Sequence, residues 1–350
     1  MPAARDPIED LKRIAFRLER AGEPTYRVRA FRRAAQTLAS LPRAEVLQRS
    51  AAGRLRELAG IGEVTAAVIA ESLAGIEPAY LAKLTDTDLL PDPGTGGGLL
   101  AALRGDCHSH SDWSDGGSPI REMAEAAREI GHEYVVLTDH SPRLTVANGL
   151  TAERLREQLD VVAALNDAFA ADAKAGAAAP FQLLTGIEVD ILDDGSLDQS
   201  EELLARLDIV VASVHSKLRM DRDAMTKRMV TAAANPHADI LGHCTGRLVT
   251  GKGRPESQFD AELVFEACRH FGTAVEINSR PERLDPPRRL LSLAVEMGCD
   301  FSIDTDAHAP GQLTWQPFGC ARAAECGVPA GRVINTKAVG DLLAWTRSRD

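Results

Sequence analysis

The spacing of apolar residues changes character along the chain. In residues 8–20 and 26–40 apolar positions recur every three or four residues, which predicts two amphipathic helices. A third helix is predicted over 65–73, directly after the turn Leu58-Ala59-Gly60-Ile61-Gly62. The first part of the chain is therefore predicted to be a small all-α domain of the helix-hairpin-helix type, spanning 1–84.

From residue 104 onward, short β-rich runs alternate with helical stretches. This alternation predicts a parallel sheet covered by helices, and seven such units favour a barrel over an open sheet. The predicted strands are 104–108, 133–138, 181–188, 208–214, 239–242, 273–277 and 300–304. The predicted helices are 119–130, 151–170, 198–206, 221–234, 258–271 and 286–298.

A Gly/Pro-rich segment separates the two parts. The run Asp92-Pro93-Gly94-Thr95-Gly96-Gly97-Gly98 has no side chains with which to pack a core, so 85–103 is predicted to be a flexible linker. The barrel domain is then predicted to span 104–345, and the fold class is α/β with a small helical N-terminal domain.

The overall composition narrows the class of protein. The chain has 350 residues, 44% of them hydrophobic and 26% charged, as is ordinary for a globular enzyme. It has no apolar run long enough to span a bilayer and no signal-peptide core, which predicts a cytoplasmic protein without a membrane partner. The six cysteines are scattered without a Cys-x-x-Cys pair, which argues against a disulfide framework.

The N-terminal part of the chain is basic and the remainder is acidic, so charge separates the same two regions as the hydrophobic pattern. Residues 1–60 carry 13 Lys/Arg against 7 Asp/Glu, whereas residues 91–350 carry 26 against 39. A Gly-x-Gly turn that opens a helix presents free N–H groups and a positive dipole end to a phosphate. We therefore predict DNA-backbone contacts in the N-terminal domain, from Arg27, Arg29, Arg32, Arg33, Gly60 and Gly62.

Six of the nine histidines stand where predicted β-strands end, beside acidic or small polar residues. In β/α barrels this end of the strands carries the active site. Neutral imidazole and ionised carboxylate together suit zinc, manganese or iron, and nine such side chains exceed the needs of one ion. The predicted metal ligands are His108, His110, Asp115, His140, Glu188, His215, His243, Asp306 and His308.

Local spacing supports a shared site. Residues 108 and 110 lie on the same side of an extended chain, so both imidazoles can hold one ion. Asp115 precedes two glycines that let the backbone bend towards a metal, and Glu188 has two oxygens with which to bridge two ions. The other histidines lie before strands or in helices and are expected to be structural: His132, His237 and His270.

With these motifs in their order, residues 104–310 resemble the PHP domain (polymerase and histidinol phosphatase). The resemblance implies a distorted seven-stranded β/α barrel with three divalent ions. It implies that the first ion is held by His108, His110, Glu188 and Asp306, the second by Asp115, His140 and His308, and the third by Glu188, His215 and His243. The residues expected to act in catalysis are His108, His110, Glu188, Asp306 and His308.

Within that family the chain is most similar to the PHP domain of bacterial family X DNA polymerases. The similar stretches are Gly186 to Ile191, Leu241 to Arg247 and Glu276 to Leu284. The N-terminal stretch Tyr26 to Ala35 and the turn at Leu58 to Gly62 are similar to the small N-terminal domain of the same polymerases.

Two departures from those polymerases limit what the resemblance implies. No polymerase palm stands between the two regions, so nucleotide polymerisation is not expected. Lyase chemistry is not expected either, because residues 63–72 contain no lysine and Val64 and Val68 occupy the corresponding positions.

The sequence thus predicts a metal-dependent phosphoesterase whose substrate is open. The first reading is an enzyme acting on DNA 3′ ends or DNA phosphodiesters, such as a 3′–5′ exonuclease or a repair-type phosphoesterase. The second is a phosphatase for a small phosphorylated metabolite such as histidinol phosphate, and the third is a non-catalytic nucleic-acid-binding protein. Arg247, Arg280 and Arg283 are candidate phosphate-binding residues, with solvated surface arginines as the equal alternative for each.

Overall fold

The computed structural model describes residues 5–84 and 96–348, and the chain divides into two compact units, Met1–Leu90 and Pro91–Asp350. This division does not test the exact domain bounds of 1–84 and 104–345, which stay predictions. Each unit has its own hydrophobic core.

The N-terminal unit is helical, as predicted. Asp6 begins the first helix by accepting a hydrogen bond from the Ile8 N–H at 2.9 Å, and Pro7 occupies the position where no N–H is needed. The buried faces follow the predicted spacing, with Leu11, Ile14 and Leu18 fully enclosed. The helices are α1 (Pro7–Arg20), α2 (Thr25–Ala39), α3 (Arg43–Ala51), α4 (Glu63–Leu73) and α5 (Ala79–Lys83).

The second unit is a seven-stranded parallel sheet in the order of the chain. The strands are β1 (Gly105–Ser109), β2 (Tyr134–Leu137), β3 (Gln182–Asp190), β4 (Ile209–Ser213), β5 (Ile240–Leu241), β6 (Ala274–Asn278) and β7 (Phe301–Asp304). The sheet curls until its edges meet, because Ser109 forms a parallel bridge with Ala307 and the His110 N–H donates to the Ala307 carbonyl at 2.8 Å. The result is the distorted (β/α)7 barrel that the sequence predicted.

Helices cover the outside of this barrel. Several begin at a side chain that caps the helix, such as Thr151, which accepts from the Arg154 N–H at 3.3 Å. Within residues 5–84 and 96–348, no helix is both long enough and apolar enough to cross a bilayer. The barrel-unit helices are α6 (Gly97–Ala102), α7 (Ile120–Glu129), α8 (Ala152–Lys174), α9 (Glu201–Leu204), α10 (Arg222–Ala233), α11 (Ala261–Phe271), α12 (Arg288–Met297), α13 (Gln316–Glu325) and α14 (Val339–Arg347).

Helix α6 corrects part of the predicted linker. Leu99 of this helix is buried in the barrel core, so the end of 85–103 belongs to the folded unit. At Gly96, with φ +83°, a Cβ would lie 2.5 Å from the Cys320 backbone, so only glycine fits this close approach. The remaining part of the predicted linker, 85–95, lies outside the described residues.

Candidate metal centre

The predicted metal ligands lie in or directly after six of the seven strands. His108 lies in β1 and Glu188 in β3, and the others follow the carboxyl ends of their strands. Because neighbouring parallel strands end at the same rim, side chains distant in sequence meet there. The ligands that follow strand ends are His110 and Asp115 after β1, His140 after β2, His215 after β4, His243 after β5, and Asp306 and His308 after β7.

Glu188 lies at the centre of the group and is 1% exposed. Its two carboxylate oxygens contact five imidazoles at 2.8–3.4 Å. Oε1 lies beside His243 Nε2 and His215 Nε2, and Oε2 beside His140 Nδ1, His108 Nε2 and His110 Nε2.

The two aspartates extend this group, Asp115 at an exposed position and Asp306 at a buried one. Asp115 Oδ1 lies 3.5 Å from His140 Nε2 and 3.4 Å from His308 Nε2. Asp306 Oδ1 lies 3.4 Å from His110 Nε2 and 3.5 Å from His308 Nδ1. All nine predicted ligands are therefore connected by contacts between donor atoms.

Within this network, three groups of donor atoms are compact enough for one ion each, with every atom of a group within 4.8 Å of the others. They are His110, Asp115, His140 and His308; His108, His110 and Asp306; and His140, Glu188 and His215. These groups resemble the implied three-ion assignment but differ in detail. His110 joins the Asp115 group, and His140 takes the place of His243 beside Glu188.

The hydrogen bonding of these side chains provides a test of whether they fit a cation. Buried polar groups without partners cost about 1–3 kcal/mol each, so native proteins contain few of them. Here several are concentrated at one point, where lone pairs face each other as metal ligands do. Within the described ranges, the buried donor atoms without a hydrogen-bond partner include His108 Nε2, His110 Nδ1 and Nε2, His140 Nδ1, Glu188 Oε2, His215 Nε2 and His243 Nδ1.

A second layer of carboxylates orients the imidazoles. His108 Nδ1 lies 2.6 Å from Glu276 Oε1, and His215 Nδ1 lies 2.6 Å from Asp190 Oδ1. Each contact favours the neutral tautomer with the proton on Nδ1, in which the Nε2 lone pair faces the centre. The His243 N–H also donates to Glu276 Oε2.

Sequence reasoning did not single out Glu276 as a functional residue. It is fully buried in β6, within the run Ala-Val-Glu-Ile-Asn. The sequence does contain a signal for Glu276, namely a carboxylate in the middle of an apolar parallel strand. A buried charge of this kind requires a buried partner.

Charges around the site favour ionised carboxylates. Burial opposes ionisation of Glu188, but nearby His215, His108 and His140 outweigh it and hold its pKa well below the usual range. Burial, followed by the neighbouring imidazoles of His308 and His140, lowers the pKa of His110 to about 3. A deprotonated carboxylate and a neutral imidazole are the forms that bind a metal.

Asp139 fixes the loop that carries Asp115. Its carboxylate accepts hydrogen bonds from the Ser111 N–H at 2.8 Å, the Ser111 hydroxyl at 2.6 Å and the Gln158 amide at 2.7 Å. The Ser114 hydroxyl also donates to it. The residue before His140 therefore holds the neighbouring ligand loop in position.

The ligands open into a cavity of about 420 Å³. Guanidinium groups occupy one side of it, with Arg283 Nε 3.1 Å from Asp306 Oδ2 and Arg280 Nη1 3.1 Å from His308 Nδ1. Arg283 Nε is engaged with Asp306, whereas its Nη1 is buried without a hydrogen-bond partner among the described residues. This geometry leaves donors available for an anion beside the metal-type ligands.

The structure does not place Arg247 in the cavity lining, so its binding of the substrate phosphate stays a prediction. Its Nε donates to the Arg283 carbonyl at 3.0 Å and its Nη2 to the Leu284 carbonyl, so the side chain supports the following loop. Arg254, which the sequence reading did not select, lines the cavity instead.

In the N-terminal unit, two of the predicted DNA-binding arginines are exposed. Arg29 and Arg33 lie on the outer face of α2, and Arg33 crosses the turn at Gly60. A Cβ at residue 60 would lie 2.8 Å from Arg33 Cγ, and φ is +79°, so glycine suits this position. Gly62 precedes α4, and its N–H donates to Thr65 Oγ1 at 2.9 Å.

The other two arginines are engaged within the unit. Arg32 is buried and forms an ion pair with Glu19 at 2.8 Å, so its prediction as a DNA contact is wrong. Its partner lies on another helix, so the local sequence around Arg32 does not reveal the ion pair. Arg27 is half-exposed, pairs with Glu23 and donates to Tyr80 Oη at 2.9 Å.

A parallel α/β barrel with histidines and carboxylates gathered at its carboxyl rim defines a class of metal-dependent hydrolases. The family model of the PHP domain matches residues 106–280, and that of a helix-hairpin-helix domain matches residues 2–77. The chain belongs to the PHP domain family, a family of phosphate-ester hydrolases, and carries a helix-hairpin-helix domain before it.

Curated relatives fall into two kinds. The chain is 41% identical over 251 residues to the DNA polymerase/3′-5′ exonuclease PolX of Bacillus subtilis, a match that covers 72% of this chain but 42% of that protein. It is 30% identical over 259 residues to a probable phosphatase of Thermoanaerobacter, covering 70% of this chain and 94% of that protein. Among solved structures, the histidinol phosphate phosphatase of Lactococcus lactis, in complex with zinc, L-histidinol and phosphate, is 16% identical with a TM-score of 0.42, covering 64% of this chain and 94% of that one.

Proposed function

We propose that this protein is a metal-dependent phosphoesterase that acts on DNA 3′ ends, with three divalent ions, zinc, manganese or iron, at the barrel rim. The observation that carries the proposal is the convergence of the nine ligands with two cavity arginines. The residues that would hold the ions are His108, His110, Asp115, His140, Glu188, His215, His243, Asp306 and His308.

The chemistry divides between the ions and the chain. Divalent ions bound there would lower the pKa of water and neutralise phosphate oxygens. Glu276 and Asp190 hold the protons on the outer nitrogens of His108 and His215 and so keep the inner nitrogens free to bind. Glu188, with both oxygens among imidazoles, is the residue suited to bridging.

Arg280 and Arg283 orient the substrate. Their guanidinium groups face the cavity, and planar guanidinium matches phosphate oxygens in pairs. Contacts with Asp306 and His308 fix both side chains beside the ligands, so a phosphate held by them lies next to the site of attack. We assign the catalytic roles to His108, His110, Glu188, Asp306 and His308.

Two observations favour DNA as the substrate. The exposed residues Arg29 and Arg33 lie at the Gly60 turn of a helix-hairpin-helix domain, whose contacts are to phosphate rather than to bases. The Bacillus relative that shares most of this chain is named as a 3′-5′ exonuclease. DNA would therefore be held by the N-terminal unit and hydrolysed at the rim.

A second candidate is a phosphatase for a small phosphorylated metabolite. Residues 91–350 carry 26 Lys/Arg against 39 Asp/Glu, and this acidic surface disfavours a long polyanion. The Thermoanaerobacter relative, named a probable phosphatase, is covered almost completely by this chain.

Hydrolysis of matched substrates by the full chain loaded with manganese separates these candidates. The substrates are a single-stranded oligonucleotide labelled at its 5′ end, an oligonucleotide ending in a 3′-phosphate, and histidinol phosphate. We expect shortening from the 3′ end, and loss of this activity in the His108→Ala/His110→Ala double variant but not in His270→Ala. Intact oligonucleotides together with hydrolysed histidinol phosphate would overturn the proposal in favour of the metabolite phosphatase.

A further inference from the structure

The loop after β5 contains a short hairpin, residues 248–254, that the phosphoesterase site does not use for metal ligands. Leu248 and Arg254 pair as antiparallel neighbours, with N···O distances of 3.0 and 2.9 Å in the two directions. The Val249 N–H donates to the Glu282 carbonyl at 2.7 Å, which ties the hairpin to the loop after β6. The hairpin is therefore built into the rim by backbone hydrogen bonds.

The base of this hairpin forms part of the cavity wall. Leu248, Thr250 and Arg254 line the cavity together with Arg280 and Arg283. Arg254 is held by its Nε donating to the Gly246 carbonyl. One side of the cavity thus gathers three guanidinium groups, although the barrel unit as a whole is acidic.

The tip of the hairpin is exposed, and its residues 251–253 do not line the cavity. Residues 250–253 are exposed, and Gly251 and Gly253 adopt φ values of +65° and +66°. A Cβ at Gly251 would meet nothing within 4 Å, so a ligand can approach the backbone here. Lys252 forms no hydrogen bond or ion pair with any residue in the described ranges, which leaves its ammonium available.

A substrate with a single phosphate has no second phosphate that the tip of the hairpin could bind. Under the proposed function, its phosphate would be bound inside the cavity, which Arg280 and Arg283 line. A polynucleotide carries further phosphates along the strand that leaves the cavity, and lysine binds such phosphates as a point charge. An exposed lysine between two glycines next to a basic wall is suited to that backbone.

We propose that the 248–254 hairpin binds the sugar-phosphate backbone of a nucleic-acid strand next to the terminal phosphate in the cavity, with Lys252 as its charged contact. This inference rests on the proposed phosphoesterase function and adds a determinant of substrate class. The hairpin selects a polynucleotide end over a single phosphomonoester.

The test compares Lys252→Ala with Lys227→Ala in the manganese-loaded full chain. Lys227 is an exposed lysine of α10, outside the cavity lining, so the control removes the same charge elsewhere on the barrel unit. For each variant, kcat/KM is measured with a short single-stranded oligonucleotide and with a nucleoside 3′-monophosphate, over a range of salt concentrations.

We expect Lys252→Ala to lower kcat/KM for the oligonucleotide about five-fold and to reduce the salt slope by about 0.7. Hydrolysis of the monophosphate should stay unchanged, and Lys252→Arg should restore the oligonucleotide activity. Equal losses on both substrates, or the same loss in Lys227→Ala, would overturn the role of the hairpin.

Inhibition separates failure of this inference from failure of the proposed function. If the protein hydrolyses the monophosphate but not the oligonucleotide, its function on DNA fails, and the oligonucleotide is then used as an inhibitor of monophosphate hydrolysis. Inhibition that weakens in Lys252→Ala supports the hairpin inference, whereas absence of inhibition overturns it. Equal Lys252-dependent inhibition by a poly-glutamate peptide would also overturn it, in favour of an acidic protein partner.

Discussion

The two units of this protein treat buried charge in opposite ways. In the N-terminal unit, the buried Glu19 and Arg32 satisfy each other, and Asp10 accepts from Arg5 and from Ser72. At the barrel rim, most of the imidazoles and carboxylates are also buried, but several of their nitrogen and oxygen atoms have no hydrogen bond. The first arrangement is complete within the protein, whereas the second requires a cation.

The difference shows what distinguishes a structural ion pair from a binding site. Burial alone does not, since Glu19 and Glu188 are 3% and 1% exposed. The distinguishing property is the direction of lone pairs. The oxygens of Glu19 face a guanidinium that donates to them, whereas those of Glu188 face the ring nitrogens of five imidazoles, two of which a carboxylate orients from behind.

The largest effect is expected when the centre of the rim is changed. Replacing Glu188 with Gln removes the charge between five imidazoles, so we expect metal content to fall and phosphoesterase activity to drop more than 100-fold. Metal analysis after gel filtration and hydrolysis assays measure both. Retained metal stoichiometry with retained activity would show that Glu188 is not a ligand.

In the N-terminal unit, Arg32→Ala should act on stability instead. Removing one partner breaks the ion pair of the buried Glu19, at a cost of about 3–5 kcal/mol. Faster amide exchange in α1 and α2, with metal content unchanged, is the expected result. The Glu19→Met/Arg32→Met pair should recover most of the protection, and if it does not, the ion pair is not the source of the loss.

A smaller effect is expected from the second layer of the rim. Glu276→Gln keeps the size of the side chain but weakens its hold on the His108 Nδ1 proton, so metal affinity should fall by about 10- to 100-fold. Competition with a metal chelator measures this change. Glu262→Gln, at an exposed position in α11, is the matched control and should bind metal as the parent does.

The smallest effect concerns the outer face of the N-terminal unit. Arg33→Ala should weaken binding of the full chain to duplex DNA a few-fold and lower the salt slope by about 0.9, as for one lost phosphate contact. Fluorescence anisotropy over a salt series measures both quantities. The same change in the barrel-unit variant Arg121→Ala would mean that binding follows net charge rather than the Gly60 turn.

The metal ligands could be predicted from the sequence because they follow the ends of predicted strands, and barrel geometry brings those ends together. Each candidate ligand follows a short apolar run, and parallel strands bring such positions to one rim, so His108, His215 and Asp306 meet despite their separation in sequence. The helices of the N-terminal unit were equally accessible, because α1 and α2 each repeat a helical spacing.

The features that could not be predicted from the sequence depend on contacts with residues that are distant along the chain. Arg247 and Arg32 were assigned to phosphates because arginines in loops and on helices resemble each other until a backbone carbonyl or a buried glutamate is found beside them. Glu276 was overlooked because its partner His108 lies 168 positions away. Helix α6 was hidden in a glycine-rich run, since Leu99 gains its core contacts only from the folded barrel.

The bridge between Ser109 and Ala307 joins the first strand to the segment after the last. His110 and Asp306 lie on opposite sides of this join, and their donor atoms are 3.4 Å apart. An ion held by these two side chains would need ligands from both sides of the join, so it would favour the closed barrel and stabilise the fold by mass action. The supply of metal in the cell would then set how much of this protein survives unfolding and proteolysis, as well as how much of it is active.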